Sequence, residues 1–367
     1  MKKILVLVLA LILALGSFAL AEAVDPATIE DNMTSDNGTY EVAFVTDVGQ
    51  LKDKSFNEGT WNGVKLYASE NGLSYKYYQP ANGDQATDDD RYDAMKAAAD
   101  AGAKVIVCAG FMQGTALEKA ANEFADVKFI FIDGWGMGLD NVVGVAFKEE
   151  QCGYLAGYAV VKDGYESLGF AGGGGGTNPA CMRYGYGFIQ GANDAAKEMG
   201  KTVDMKFTWA YGASFSPSAE LQTLISGWYE AGTEIVFSAG GSIFDSITAA
   251  ASANDGAVIG VDVDQSFQSD TVVTSALKGI TEGTYQMIGK AYDGTWADLG
   301  GAVSLGINED AVGLPVDTWS LEGFTVDDYN ALVESMKSGE LVVDAEAAEG
   351  DPNAKGPWDA VTVDYVE

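Results

Sequence analysis

A chain of 367 residues is longer than one hydrophobic core of ordinary size organises, and suits two domains. Its formal net charge of −33 repels phosphate backbones, nucleotide polyphosphates and anionic headgroups, so nucleic-acid partners are excluded. Histidine is absent, which removes Ser-His-Asp and Cys-His nucleophile systems and histidine-ligated metals, while an enzyme using only carboxylates remains possible.

Residues 1–23, MKKILVLVLALILALGSFALAEA, combine two lysines, an apolar run and small residues at Ala19, Ala21 and Ala23. This is the pattern of a secretory signal peptide with an Ala-x-Ala cleavage site; an uncleaved membrane anchor is the competing reading. The expectation is an exported protein, in the periplasm or at the outer face of the cytoplasmic membrane. Cys108, Cys152 and Cys181 read as small core residues unless Cys152 and Cys181 meet. None stands near the end of the signal, so no lipoprotein cysteine is expected.

After a polar tether at 22–39, short apolar runs alternate with amphipathic stretches. Strands are predicted at 41–46, 74–79, 104–109, 128–132 and 142–147, with helices at 57–70, 88–101 and 112–125 between them. The pattern then restarts: helix 149–162, strand 167–171, five glycines at 172–176, helix 179–199, strand 203–209, helix 217–231, strand 234–238, helix 242–253 and strand 257–261. A strand at 271–275 and a helix at about 279–291 follow, then a return near 304–314, helix 325–338 and strand 340–343. Strands separated by helices of this length make right-handed βαβ units, so the fold class is α/β with two doubly wound parallel-sheet domains joined by hinge crossings. The expected division is 40–146 plus 274–304 for an N-terminal lobe and 147–273 plus 305–343 for a C-terminal lobe. Residues 344–367 read as an extended tail.

In open α/β sheets ligands sit beyond the carboxyl ends of the strands. The first such loop, in VAFVTDVGQLKDKSFN (42–57), holds Asp47, Ser55, Phe56 and Asn57. Phe56 is an aromatic on a loop, which either packs into the core or stacks on a ligand. Other strand ends bring Gly110 and Phe111; Asp133, Gly134 and Trp135; the glycine run; Trp209 to Phe215; Ala239 to Gly241; Asp262 and Asp264; and Lys278 just beyond the last crossing. Carboxylates with aromatics suit a neutral polar ligand with a flat face, such as a nucleoside, or a sugar. The glycine run lacks the Gly-Lys-Ser/Thr end of a phosphate loop, and Asp262, Asp264 and Asp270 lack calcium-loop spacing, so no cofactor or metal is expected.

Several ordered segments carry a resemblance: TDVGQLKDKSFNEGTWNG (46–63), FIDG (131–134), VAFKEEQCGYLAGYAV (145–160), SFSPSAELQTLISGWYEAGTEIVFSAGG (214–241), IGVDVDQ (259–265) and VVTSALKG (272–279). From about residue 40 to residue 340 the chain resembles the basic membrane protein family, the PnrA-like purine nucleoside receptors. The resemblance implies a type I periplasmic-binding-protein fold that delivers a purine nucleoside to an ABC transporter permease, touching the membrane only through that permease. It implies Asp47 and Asn57 bonding the ligand, Phe56 under the base, Asp133 at the purine ring nitrogens and Phe215 as the opposing aromatic. Gly241 would allow close backbone approach, and Asp262 and Lys278 would hold the ribose hydroxyls.

Three departures from the family pattern stand out: the missing lipid-bearing cysteine, SIFDS after the glycine pair, and Trp209 and Trp135 as rivals of Phe215 for the second stacking face. Two alternatives remain open at this point. The same fold would bind a sugar or autoinducer-like ligand if only one aromatic faced the cleft, and a carboxylate-based nucleosidase would need a carboxyl with a raised pKa or a calcium cluster, neither of which the sequence marks.

Overall fold

The computed structural model describes residues 24–31, 33–46, 48, 50–347 and 349–367. The signal-peptide reading of residues 1–23 and the assignment of Asp47 lie outside the described residues.

The first sheet begins with β1 (Val42–Val45), α1 (Phe56–Glu70), β2 (Tyr75–Tyr78), α2 (Asp88–Asp100), β3 (Val105–Ala109), α3 (Gly114–Glu123), β4 (Lys128–Ile132) and β5 (Val142–Phe147). The second group follows as α4 (Glu149–Asp163), β6 (Ser167–Gly172), α5 (Pro179–Met199), β7 (Val203–Thr208), α6 (Ala219–Glu230), β8 (Ile235–Ala239), α7 (Ile243–Ala253), β9 (Ala257–Asp262) and β10 (Val272–Lys278). The chain closes with α8 (Ile280–Tyr292), β11 (Ala302–Leu305), β12 (Val312–Gly313), α9 (Val326–Ser338) and β13 (Val361–Val366).

Central strands such as β1, β3 and β8 are buried at every position, because helices cover both sheet faces; this is why they read as unbroken apolar runs. Their helices start on local signals: Thr87 and Asp90 form a capping box on α2, Asn178 caps α5 with Pro179 at its first position, and Ser218 caps α6.

The first sheet has the order β2-β1-β3-β4-β5-β11, all parallel. The second has the order β13-β7-β6-β8-β9-β10-β12, parallel except for the short β10–β12 pair. In each sheet the strand order reverses at one place, between β1 and β3 and between β6 and β8, and such switch points open a crevice at the strand ends. Helices α4 and α5 pack backbone against backbone. A Cβ at Gly153 would meet the Tyr184 carbonyl and one at Gly187 the Glu150 carbonyl, so small residues set the spacing.

Two expectations change. The strand predicted at 271–275 runs on to Lys278 and pairs with β9 up to Leu277 opposite Asp262, so it belongs to the second sheet and the chain crosses at Gly279 rather than near residue 274. Its apolar run ends at Leu277 because Lys278 finds two carboxylates there instead of solvent. The tail is not simply extended chain: residues 340–343 form no strand, whereas Val361–Val366 make an edge strand on β7. Burial of Ala360 and Val361 against the second core holds that strand, a contact the acidic composition of the preceding stretch conceals.

Candidate functional site

The loop after β1 folds back on the start of α1 around Asp53. The Asp53 carboxylate accepts hydrogen bonds from the backbone N–H groups of Ser55, Asn57 and Glu58 at 3.0, 2.9 and 3.1 Å, and from the Asn57 side-chain amide at 3.1 Å. These are donors that a helix start leaves unpaired, so one side chain fixes both the helix and the residues it presents. Asn57 also donates to the Val48 carbonyl at 3.2 Å. Burial pushes the Asp53 carboxyl up to about 6, against the pull of those donors.

Facing this loop are the strand ends of the second sheet. Phe56, Asn57, Asp133, Phe215, Gly241, Asp262 and Lys278 all line one gap. Asp53, Asn178, Cys181, Tyr184 and Ser242 line it too. Phe56 and Phe215 are both half-buried and come from opposite sheets. The rival aromatics stand elsewhere: Trp209 is 5% exposed in the second core against Phe170 and Phe207, and Trp135 is 51% exposed beside Phe131.

The acidic residues are held from several directions. Asp262 accepts the Ser55 hydroxyl from the opposite wall and the Tyr184 hydroxyl at 3.0 Å. Lys278 is 3% exposed and ion-paired to Asp133 at 2.6 Å and to Glu149 at 2.9 Å, and Arg183 bonds the far side of Glu149 at 2.6 Å. Burial raises the Asp133 carboxyl to about 6 and outweighs the pull of Lys278. For Glu149 burial is outweighed by Lys278 and Arg183, which hold it below the usual carboxylate range. Burial works to lower the Lys278 ammonium and is overcome by Asp133, Glu149 and Asp262, which hold it above its ordinary value. Burial also lifts Glu150, behind the gap, to about 7. With two cations against these carboxylates, the lining favours hydrogen-bond donors and disfavours anions.

Backbone strain gathers here. Asp133, Phe215 and Asp262 have φ of 55°, 57° and 66°, a left-handed conformation that non-glycine residues adopt at a cost of about 1–3 kcal/mol. Gly241, at φ 50°, sits in the same region of backbone space without that cost.

The two walls also touch directly. Gln265 donates to the Lys54 carbonyl at 3.0 Å, Ser216 donates to Asp84 at 3.1 Å, and Lys54 pairs with Asp245 at 3.3 Å. The gap is therefore closed over by contacts from both sheets.

Sequence reading passed over Asp53, Tyr184 and Glu149. Asp53 had a usable signal, an acceptor placed just before a helix and within reach of its first N–H groups. Tyr184 and Glu149 sit inside helices, where neither local spacing nor pattern distinguishes them. The Lys278 ammonium is engaged by the carboxylates of Asp133 and Glu149.

The model of the PnrA-like ABC transporter substrate-binding proteins, Bmp, matches residues 40–347. The chain belongs to this family. Among its relatives is the Lactococcus lactis ABC transporter nucleoside-binding protein BmpA, 26% identical over 305 residues that cover 77% of this chain and 83% of that protein. A solute-binding protein of an Aeropyrum pernix K1 ABC transporter system has the same fold, with a TM-score of 0.65 at 24% identity over 83% of this chain and 88% of that one.

As a Bmp family member, the protein has a substrate-binding role in an ABC system, which implies a ligand and a permease partner. One expectation is overturned. Bmp relatives from three Pyrococcus species are lipoproteins, the Pyrococcus abyssi protein being 26% identical over 77% of this chain and 70% of its own length. Membrane attachment through lipid thus occurs among relatives that match most of this chain, and the reading of an exported protein without a lipoprotein cysteine is withdrawn.

Proposed function

We propose that the protein captures a purine nucleoside between its two sheets and passes it to the permease of an ABC importer, without chemical change. The observation that carries the reading is the pair of half-buried phenylalanines, Phe56 and Phe215, on opposite walls of one gap. Stacking on a base contributes about 1–3 kcal/mol per aromatic, and two facing aromatics favour a nucleoside over a sugar alone. Asp133 and Asp262 supply acceptors for ring N–H groups and ribose hydroxyls, each charge-assisted bond contributing about 1.5–3 kcal/mol. Asn57 lies beside Phe56 at the gap, and Gly241, having no Cβ, allows close backbone approach. In this reading the residues around the two sheets are lobes that part at Gly279 and at the other crossings. A ligand hydroxyl replaces Ser55 on Asp262 when they reclose.

Calorimetry with inosine, guanosine, adenosine, ribose and inosine monophosphate tests this. Micromolar or tighter binding of a nucleoside, with ribose and the monophosphate much weaker, is expected; heat from ribose equal to that from every nucleoside would overturn it. The raised Asp53 and Asp133 carboxyls favour a second reading, cleavage of the glycosidic bond. Both are tied into backbone N–H groups or Lys278 rather than free to move a proton, so incubation with inosine should release no hypoxanthine.

A further inference from the structure

The wall that carries Phe215 is made of irregular chain, the glycines after β6 and residues 209–217 after β7. Gly174, Gly175 and Gly176 all have left-handed φ, a conformation with much freedom to lose on ordering. Phe215 rests directly on this run, since a Cβ at Gly173 would collide with its ring. Beneath lies the Trp209 indole, so close that a Cβ at Gly172 or at Gly176 would strike it. Gly174 donates to the Gly212 carbonyl at 3.1 Å and ties the two loops together.

What secures this assembly from outside is the C-terminal segment from residue 344, most of which lies beyond the family match that ends at residue 347. The Trp209 indole N–H donates to the Gly350 carbonyl at 2.8 Å, and the Gly350 N–H donates to the Gly176 carbonyl at 3.2 Å. One residue of the tail thus bridges the two loops that hold Phe215. The bridge is anchored at each end. Asp344 and Gln190 exchange hydrogen bonds of 2.9 and 3.0 Å, and the Tyr186 hydroxyl donates to the Pro352 carbonyl at 3.3 Å. Further on, the Ala360 N–H donates to Asn193 at 2.9 Å and β13 pairs with β7 along its length, so that Thr208, next to Trp209, donates to the Val366 carbonyl at 2.6 Å.

We propose that the segment 344–367 is a strap whose Gly350 is a positioning residue: through Gly176 and Trp209 it fixes the loops that present Phe215 to the gap.

The test uses hydrogen exchange on three forms of the protein: the full chain, a chain ending at residue 347, and the full chain with Gly350→Pro, which removes the N–H and also the left-handed backbone at φ 74° that proline cannot adopt, so that both Gly350 contacts are lost while β13 keeps its partner strand. Amide protection at 172–177 and 209–216 should fall by at least about tenfold in both variants, the equivalent of one hydrogen bond or more. The first-sheet strands and, in Gly350→Pro, residues 361–366 should keep theirs. Unchanged protection of the two loops in Gly350→Pro would overturn the proposal. So would a loss spread evenly over the second sheet, which marks a structural role only. If the shortened chain does not fold, Gly350→Pro decides alone. A second readout rests on the nucleoside reading: inosine affinity should fall by a similar factor of about ten in Gly350→Pro. Absence of inosine binding by the unaltered protein would count against that reading, while the exchange result would still decide the strap.

Discussion

Phe56 and Phe215 line the same gap, yet the chain fixes them by different means. Phe56 is the first residue of α1, and a carboxylate three positions earlier in the chain gathers the N–H groups around it. Phe215 stands in left-handed backbone on glycine-rich loops, secured by an indole and by a segment more than a hundred residues later. One wall is ordered by local chemistry and the other by distant contacts. Local order survives most changes elsewhere in the molecule, whereas order built from afar is lost when any one partner is removed.

The largest effect is expected from Asp262→Ala, because Asp262 is the proposed ligand acceptor of the second wall and also the partner of Ser55 on the first. Loss of a charge-assisted bond of about 2 kcal/mol should weaken inosine binding by about thirtyfold in calorimetry. A change below threefold would break the assignment of Asp262 to the ligand.

Next in size, Asp53→Ala removes the acceptor for the first N–H groups of α1 and should lower stability at about pH 4 by about 1–2 kcal/mol in urea unfolding. Its pH dependence sharpens the point. Asp53 has a carboxyl raised from 3.8 to about 6, so the folded protein holds its proton more tightly than the unfolded chain does. Stability from this group is therefore greatest at low pH and declines as pH rises through the interval between those values. The advantage of the unaltered protein over Asp53→Ala should shrink between about pH 4 and pH 7. An advantage that grows over that range would contradict the burial argument.

Phe215→Gly should separate strain from function on the second wall. Relief of the left-handed backbone offsets part of the lost packing, by about 1 kcal/mol relative to Phe215→Ala, while both variants lose the stacking face and bind inosine equally poorly. Equal stability of the two variants would show that the backbone at 215 relaxes once the ring is gone. The smallest effect is expected from Lys54→Ala. Its contact with Asp245 is between side chains 42% and 51% exposed, and should contribute no more than about 0.5 kcal/mol to stability.

The same contrast explains what the sequence alone made legible. Strands buried on both faces announce themselves as apolar runs, and a doubly wound order follows from their alternation with helices, so the strand ends and most residues at the gap were readable. Asp133, Asp262 and Phe215 could be named as strand-end residues. That Asp262 meets Tyr184, or that Lys278 lies between Asp133 and Glu149, depends on packing of α4 and α5 that no local pattern encodes. The end of β10 was obscured by a lysine that is buried only because carboxylates await it. β13 was obscured because an acidic, proline-containing stretch precedes a short alternating strand whose partner lies some 160 positions earlier.

The account's central claim is that a purine nucleoside occupies the gap between Phe56 and Phe215. Mass spectrometry of small molecules released by denaturing freshly purified protein addresses it most directly. A neutral purine nucleoside, retained by the unaltered protein and absent from Asp262→Ala, is the predicted result; a monosaccharide or a phosphorylated compound in its place would contradict the account.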